Sequence, residues 1–303
     1  MNILVTGGAG FIGSNLTERL VSDDHNVTVL DNLHTGSVDN LKKIENKIRL
    51  IKDTSQNINK IAPKNLDAIF HFGIPSSTPM YRANPYLVGD AINSALAIYE
   101  YAKKNGVKKI VIAGSSSVYN EQPPPHREDM PVKVTDYYTE ARLTIERLAE
   151  LYSRLYGINS ISLRFFSVYG PHEEAKKQYA NMLTQFTWSF KKHEEPVIYG
   201  DGTQTRDLTY VKDTVNACII ALNAKIQYDI FNVGTGKTYT FNQLIEILNR
   251  KMNMTIKPKY IPNPLKGYVA HTLADTHKAE EKLGFKAKYA LEDGIQELLS
   301  YNK

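Results

Sequence analysis

The stretch Asn2-Ile3-Leu4-Val5-Thr6-Gly7-Gly8-Ala9-Gly10-Phe11-Ile12-Gly13 decides how the chain folds. Ile3, Leu4 and Val5 form a short apolar run that reads as a buried parallel strand, and Gly7, Gly10 and Gly13 follow at three-residue spacing before a helical pattern over Phe11–Val21. Strand, tight turn and helix in that order make a phosphate cradle. Glycines let the backbone approach a pyrophosphate, and the helix N-terminus offers N–H groups and a positive dipole end. A second apolar run, Val27–Leu30, ends in Asp31, about 20 residues beyond the glycine turn, where a dinucleotide fold places the acid that bonds the ribose hydroxyls. That carboxylate would repel a 2′-phosphate, which favours NAD over NADP.

Working outward, strand candidates at Ile48–Ile51, Ala68–Phe72, Ile110–Ala113 and Ser160–Arg164 alternate with helical segments. The fold class is therefore α/β, a doubly wound parallel sheet of the Rossmann type. The longest helices are expected over Pro85–Asn105 and Tyr138–Tyr156. Beyond Gly170-Pro171 the elements shorten: helices over Tyr179–Lys191, Val211–Leu222, Asn242–Met252, Thr276–Leu283 and Leu291–Leu299, with strands at Val197–Tyr199 and Ile230–Val233. Pro123-Pro124-Pro125 reads as a stiff loop that covers something rather than packs.

At 303 residues and 42% hydrophobic the chain can bury a large core in one large or two interlocked domains. Its single cysteine, Cys218, excludes a disulfide framework and suits a reducing compartment. A strand beginning at residue 2 leaves no room for a signal peptide, and no apolar run is long enough to span a bilayer, so a cytoplasmic protein without membrane partners is expected. The net charge of +5 comes from scattered lysines, without a basic block, and does not imply nucleic acid. Gly234-Thr235-Gly236-Lys237-Thr238 lacks the leading glycine of a phosphate-binding loop, Phe231 standing there, and reads as a turn. The eight histidines show no metal spacing, so no metal is expected.

Chemistry is expected after the strand Ile110–Ala113, whose carboxyl end faces the nicotinamide in a dinucleotide fold and which runs into Gly114-Ser115-Ser116-Ser117-Val118-Tyr119. Tyr138 and Arg142, four residues apart, share a helix face. A cation beside a phenol favours its phenolate, and Ser115 would hydrogen-bond the reacting hydroxyl. Taken alone, the same residues also describe an amphipathic helix with an arginine on its wet face and a serine-rich turn.

The chain resembles the extended short-chain dehydrogenase/reductases of the nucleotide-sugar epimerase and dehydratase group, closest to the UDP-glucose 4-epimerases. The resemblance runs nearly end to end. It rests on Thr6 to Gly13, Leu30-Asp31-Asn32-Leu33 with Thr35-Gly36, Ser115 to Tyr119, Leu163 to Pro171, Tyr199 to Asp207, Phe231 to Gly236, Leu273-Ala274-Asp275 and Leu283-Gly284-Phe285. It implies an NAD-binding domain of residues 1–165 with 205–232 and an interleaved nucleotide-sugar domain of 166–204 with 233–303. It implies that Tyr138 is the catalytic base, Ser115 its partner and Arg142 the neighbouring cation. Gly7, Gly10, Phe11, Ile12, Gly13, Asp31, Asn32, Thr35, Gly36, Asp53, Phe72, Gly73, Asn93, Arg142 and Phe165 would hold NAD. Ser167, Asn181, Tyr199 and Arg206 would hold a UDP-sugar, with Arg206 gripping its diphosphate. The two long helices would form a four-helix bundle in a homodimer.

The implied reaction is epimerisation at carbon 4 of a UDP-hexose through a transient 4-keto sugar. Dehydratases and decarboxylases of the group place an acid between the Ser/Thr and Val-Tyr; Ser116 and Ser117 stand there instead, which argues against elimination. The chain departs from the family pattern in Arg142 for lysine, Ser167 for asparagine, Gly73-Ile74-Pro75 for an alanine pair, and Leu265-Lys266-Gly267-Tyr268, which lacks a second phosphate-gripping arginine. A small residue, Thr272, at a position that limits bulk near the sugar implies room for N-acetylated forms. Two further readings remain: another nucleotide-sugar enzyme such as a uronic-acid 4-epimerase, for which Arg127 is the candidate extra cation, and a non-catalytic NAD-binding relative.

Overall fold

Period-two alternation in the first strand sets out the whole architecture. In a computed structural model, which describes residues 1–263 and 268–301, Ile3 and Val5 enter one hydrophobic core and Leu4 enters another. Strand β1 (Asn2–Thr6) therefore lies between two apolar layers, and all three residues are fully buried. It is one of seven parallel strands: β2 (Asn26–Leu30), β3 (Ile48–Ile51), β4 (Ala68–His71), β5 (Lys109–Ser115), β6 (Asn159–Phe165) and β9 (Tyr228–Val233) complete the sheet. Their order is β3-β2-β1-β4-β5-β6-β9. The order reverses beside β1, with Val5 paired to Val29 on one side and to Phe70 on the other. A crevice at the carboxyl ends of β1 and β4 follows from that reversal.

One face of the sheet carries α1 (Phe11–Ser22), which packs against α7 (Val211–Asn223). Their core includes Leu16, Leu20, Ala217 and the buried Cys218. The other face carries α4 (Leu87–Asn105) packed on α5 (Tyr137–Tyr156), with Ile98, Tyr99, Ile145 and Tyr152 inside. Both long helices end at glycines in the left-handed conformation, Gly106 and Gly157, where an L side chain would be strained. Short helices α2 (Ile58–Ile61) and α3 (Thr78–Ala83) and a 3₁₀ stretch, Val38–Lys47, fill connections that lack an apolar period.

The remaining elements are α6 (Met182–Lys191), α8 (Phe241–Met252), α9 (Leu291–Ser300) and two small sheets. β7 (Val197–Tyr199) pairs in parallel with β11 (Lys259–Ile261), and β8 (Thr205–Arg206) pairs antiparallel with β10 (Tyr239–Thr240). The helix expected over Thr276–Leu283 is largely one π-helical turn, Ala279–Leu283. No helix among the described residues is long and apolar enough to cross a membrane.

Two loops singled out by the sequence are held by residues far along the chain. Gly234-Thr235-Gly236 is a turn, and its cause is Asp207: the carboxylate accepts from the amides of Thr235 (2.8 Å), Gly236 (3.0 Å) and Ala274 (3.0 Å). The proline loop is anchored at its far end. Pro123, Pro124 and Pro125 are exposed, and the chain after them is tied down where His126 stacks on Tyr119 at 5.1 Å and donates its amide to Leu273 O at 2.8 Å.

Candidate active site

The turn after β1 is shaped by what a side chain would strike. A Cβ on Gly13 would lie 2.0 Å from Gly7 O, and one on Gly7, whose φ is +69°, would lie 2.7 Å from Gly73 N. Those two glycines let strand, turn and helix close up. Gly10 differs, since a Cβ there would meet only Gly7 O, at 3.1 Å, and it N-caps α1 with no side-chain bond. The first turn of α1 thus opens onto a cavity of ≈ 460 Å³ lined by Gly7, Gly10, Phe11, Ile12 and Gly13.

At one end of that cavity Asp31 is buried, its carboxylate accepting from Ala9 N at 2.9 Å and Leu33 N at 2.7 Å. Burial raises its pKa, and the backbone N–H groups of Leu33, Ala9 and Gly10 oppose the rise. Asn32, Thr35 and Gly36 line the cavity beside it. At the crevice between β1 and β4, the Thr6 hydroxyl accepts from the amides of Phe72 (3.1 Å) and Gly73 (3.0 Å). With its oxygen so occupied, Thr6 donates to His71 Nδ1 at 2.9 Å. His71 is fully buried, and burial reinforced by the charge of Arg142 lowers its pKa to about 3, so the ring stays neutral. Sequence reading passed over His71 because nothing local marks a strand-end histidine as anything but core.

Across the cavity, Tyr138 is the second residue of α5, whose N-cap Asp136 accepts from Thr139 N at 2.8 Å and from Thr78 Oγ1 at 3.2 Å. Its ring packs against Tyr81 with centroids 5.5 Å apart. The Arg142 guanidinium does lie beside Tyr138, but over the face of the ring, 5.0 Å from its centroid. Its Nη1 donates to Ala113 O at 2.6 Å and its Nη2 to Pro75 O at 3.1 Å, so one side chain straps the ends of β4 and β5 together. Ser115 Oγ accepts from Ser117 N at 3.2 Å and keeps its hydrogen to donate.

Phe72, Gly73, Phe165, Ser167 and Asn181 also line the cavity, but Asn181 is committed elsewhere. Its Oδ1 caps α6 through Leu183 N at 2.9 Å, and its Nδ2 donates to Val168 O at 3.0 Å. Four expected residues are not brought to the cavity. Asn93 is exposed on α4, whose inward positions include Ala91 and Ser94, and is not among the residues lining the cavity. Asp53 lies past β3, its carboxylate taken by Thr54 N at 2.7 Å and Asn57 Nδ2 at 2.9 Å. Tyr199 is held in the pairing of β7 with β11. Arg206 sits between the rings of Phe241 (5.4 Å) and Tyr268 (5.3 Å) and donates to Thr205 O and Ala270 O.

Thr272, expected near the sugar, is buried and accepts from Asp207 N at 3.1 Å, outside the cavity lining. Arg127 likewise does not line it, and its Nε donates to Asp129 at 3.0 Å in the exposed loop. Leu265, Lys266 and Gly267 lie outside the described residues. The cavity instead gains Lys176 and Tyr179, from a stretch in which the sequence offers no cue to direction.

An open glycine-capped helix end, a buried carboxylate and a groove running from both to a tyrosine and a serine fit a dinucleotide. The model of the NAD dependent epimerase/dehydratase family matches residues 3–234, and the chain belongs to that family. Within it, the chain is 33% identical over 99% of its length to the UDP-glucuronate 4-epimerase of Thermodesulfobacterium geofontis, of which it covers 95%. It is 31% identical over 99% of its length to the UDP-glucose 4-epimerase of Mycolicibacterium smegmatis, covering 98% of that protein. Its fold matches the crystal structure of a UDP-glucose 4-epimerase from Thermotoga maritima with UDP-glucose at a TM-score of 0.92, with 32% identity and coverage of 99% and 98% of the two chains.

Proposed function

We propose that this protein is an NAD-dependent 4-epimerase of UDP-hexoses, with Tyr138, Ser115 and Arg142 as its catalytic group. The observation that carries the reading is the company these three residues keep. They share one cavity with the open end of α1 and with Asp31, and Asp31 is the only carboxylate among the described residues lining it. Elimination of water needs a second acid or base beside the sugar, whereas inversion at one carbon needs one proton acceptor. Bound NAD supplies the hydride chemistry. Tyr138 would take the proton from the sugar 4-hydroxyl, and Ser115 would donate a hydrogen bond to the same oxygen. Arg142 would hold the tyrosine ring and the cavity wall in place. The α1 terminus would hold the cofactor diphosphate, and Asp31 its adenosine ribose.

Proton NMR of the sugar nucleotide tests this directly. Incubation with UDP-galactose and NAD is expected to yield UDP-glucose signals. Parallel incubations with UDP-N-acetylgalactosamine and UDP-glucuronate read out the sugar accepted. Conversion of UDP-glucuronate alone would replace the hexose reading with the uronic-acid one, which the similarity to a UDP-glucuronate 4-epimerase supports. Conversion of none of the three with NAD bound would leave another nucleotide sugar or the non-catalytic reading.

The dimer through α4 and α5 belongs to the same proposal. Leu151, Leu155 and Tyr156 of α5 are exposed, at 48%, 61% and 43%, although their neighbours along the helix are packed. Sedimentation at twice the 34.2 kDa of one chain is expected, and a monomer at micromolar concentration would refute it.

A further inference from the structure

Among the described residues lining the cavity, the permanently charged cations are Arg142 and Lys176. Both terminal nitrogens of Arg142 are engaged by carbonyl oxygens at the Tyr138 end, which leaves Lys176 as the cation for the other half of the groove. Its Nζ lies 5.3 Å from the ring centroid of Phe11, the first residue of α1. It is a fixed group rather than a loose surface lysine. Nζ donates to Glu173 at 3.1 Å, and the Lys176 side chain is 16% exposed. Glu173 is itself buried, accepting from Asn181 N at 3.0 Å and from the Thr184 hydroxyl.

The segment that carries Lys176 is fastened to α1. Asn15 Nδ2 donates to Pro171 O at 3.1 Å, and Ser14 Oγ bonds His172 Nδ1 at 2.8 Å. The ammonium therefore stands over the ring of the first residue of α1 in the cavity lining, with one of its three N–H groups on Glu173 and the others left for a ligand.

We propose that Lys176 is a ligand of the dinucleotide diphosphate, reaching across from the segment after β6 to grip the phosphates against the α1 terminus. Helix dipole and ammonium act on the same anion, and a charge-assisted bond in a semi-enclosed site is stronger than either effect at the surface. The proposal rests on the cavity holding NAD and is independent of which sugar is turned over.

Calorimetric titration of the full-length protein and its K176Q and K176R variants with NAD, ADP-ribose and adenosine tests it. K176Q is expected to bind NAD and ADP-ribose about tenfold more weakly. Adenosine, which lacks the diphosphate, should bind all three proteins alike, and K176R should stay within about twofold of the parent because it keeps the charge. Raising the salt concentration should weaken NAD binding more steeply in the parent than in K176Q. Unchanged NAD affinity in K176Q overturns the proposal, as does an equal loss in K176R, which would make the effect one of packing. In a parallel titration of the same three proteins with UDP, loss of UDP binding in K176Q with NAD affinity retained would place the lysine on the sugar nucleotide and also overturn it.

Discussion

Tyr138→Phe is expected to lower the rate of sugar epimerisation by about 10²- to 10⁴-fold while leaving NAD bound and the melting temperature unchanged. Only the phenol oxygen is removed. The ring stays 5.5 Å from that of Tyr81 and under the Arg142 guanidinium, and Asp136 still caps the helix. An intact fold with a silent site is the signature of a lost proton acceptor. Turnover within tenfold of the parent would remove Tyr138 from the mechanism. Arg142→Lys extends the same experiment. One ammonium cannot bond Ala113 O and Pro75 O as the guanidinium fork does, so a carbonyl at the cavity wall loses its partner. A fall in rate of about tenfold is expected, because the wall is built around the fork. A rise would mean that the arginine impairs the site.

Glu146→Ala is expected to cost about 3–5 kcal/mol in urea unfolding, the largest stability effect anticipated for a single side chain here. Glu146 on α5 and Arg164 on β6 form a two-point pair, with bonds of 2.7 and 3.0 Å and side chains 4% and 3% exposed. Arg164 continues to the Tyr119 hydroxyl at 2.8 Å, which donates to Asn232 Oδ1 at 2.8 Å, and Ser162 donates to Glu146 at 3.0 Å. Removing the carboxylate strands a buried guanidinium and loosens the turn that follows Ser115. Replacing both partners, as in Glu146→Leu with Arg164→Met, should recover most of the loss, since an apolar pair leaves no charge uncompensated. A cost below about 1 kcal/mol for Glu146→Ala would show that the pair is solvated in practice.

The predictions differ in how far sequence alone reaches them. Tyr138 and Ser115 are legible because spacing puts them near the end of a central strand and at the start of a long helix. Glu146 and Arg164 are not, since helical period places Glu146 only on a face of α5, and no local pattern says which strand residue meets it. Local signals also miss the 3₁₀ stretch Val38–Lys47 and the two-residue strands β8 and β10, which are too short to display a period. Asn93, which the resemblance places on the active-site helix, is a residue that the phase of α4 turns to solvent.

By itself, the chain's order of residues determined the parallel sheet, the glycine turn, the acid that follows β2 and the pairing of Tyr138 with Arg142 on one helix face. These depend on periods of two and 3.6 residues and on contacts within a few positions, which local chemistry dictates. Only the tertiary structure decided that Arg142 spends its fork on Ala113 and Pro75, that Asp207 gathers the turn Gly234-Thr235-Gly236, and that Lys176 stands over Phe11. Each of the three joins segments dozens of residues or more apart. The geometry at such junctions is set by how sheet and helices pack, a property that no stretch of sequence carries alone.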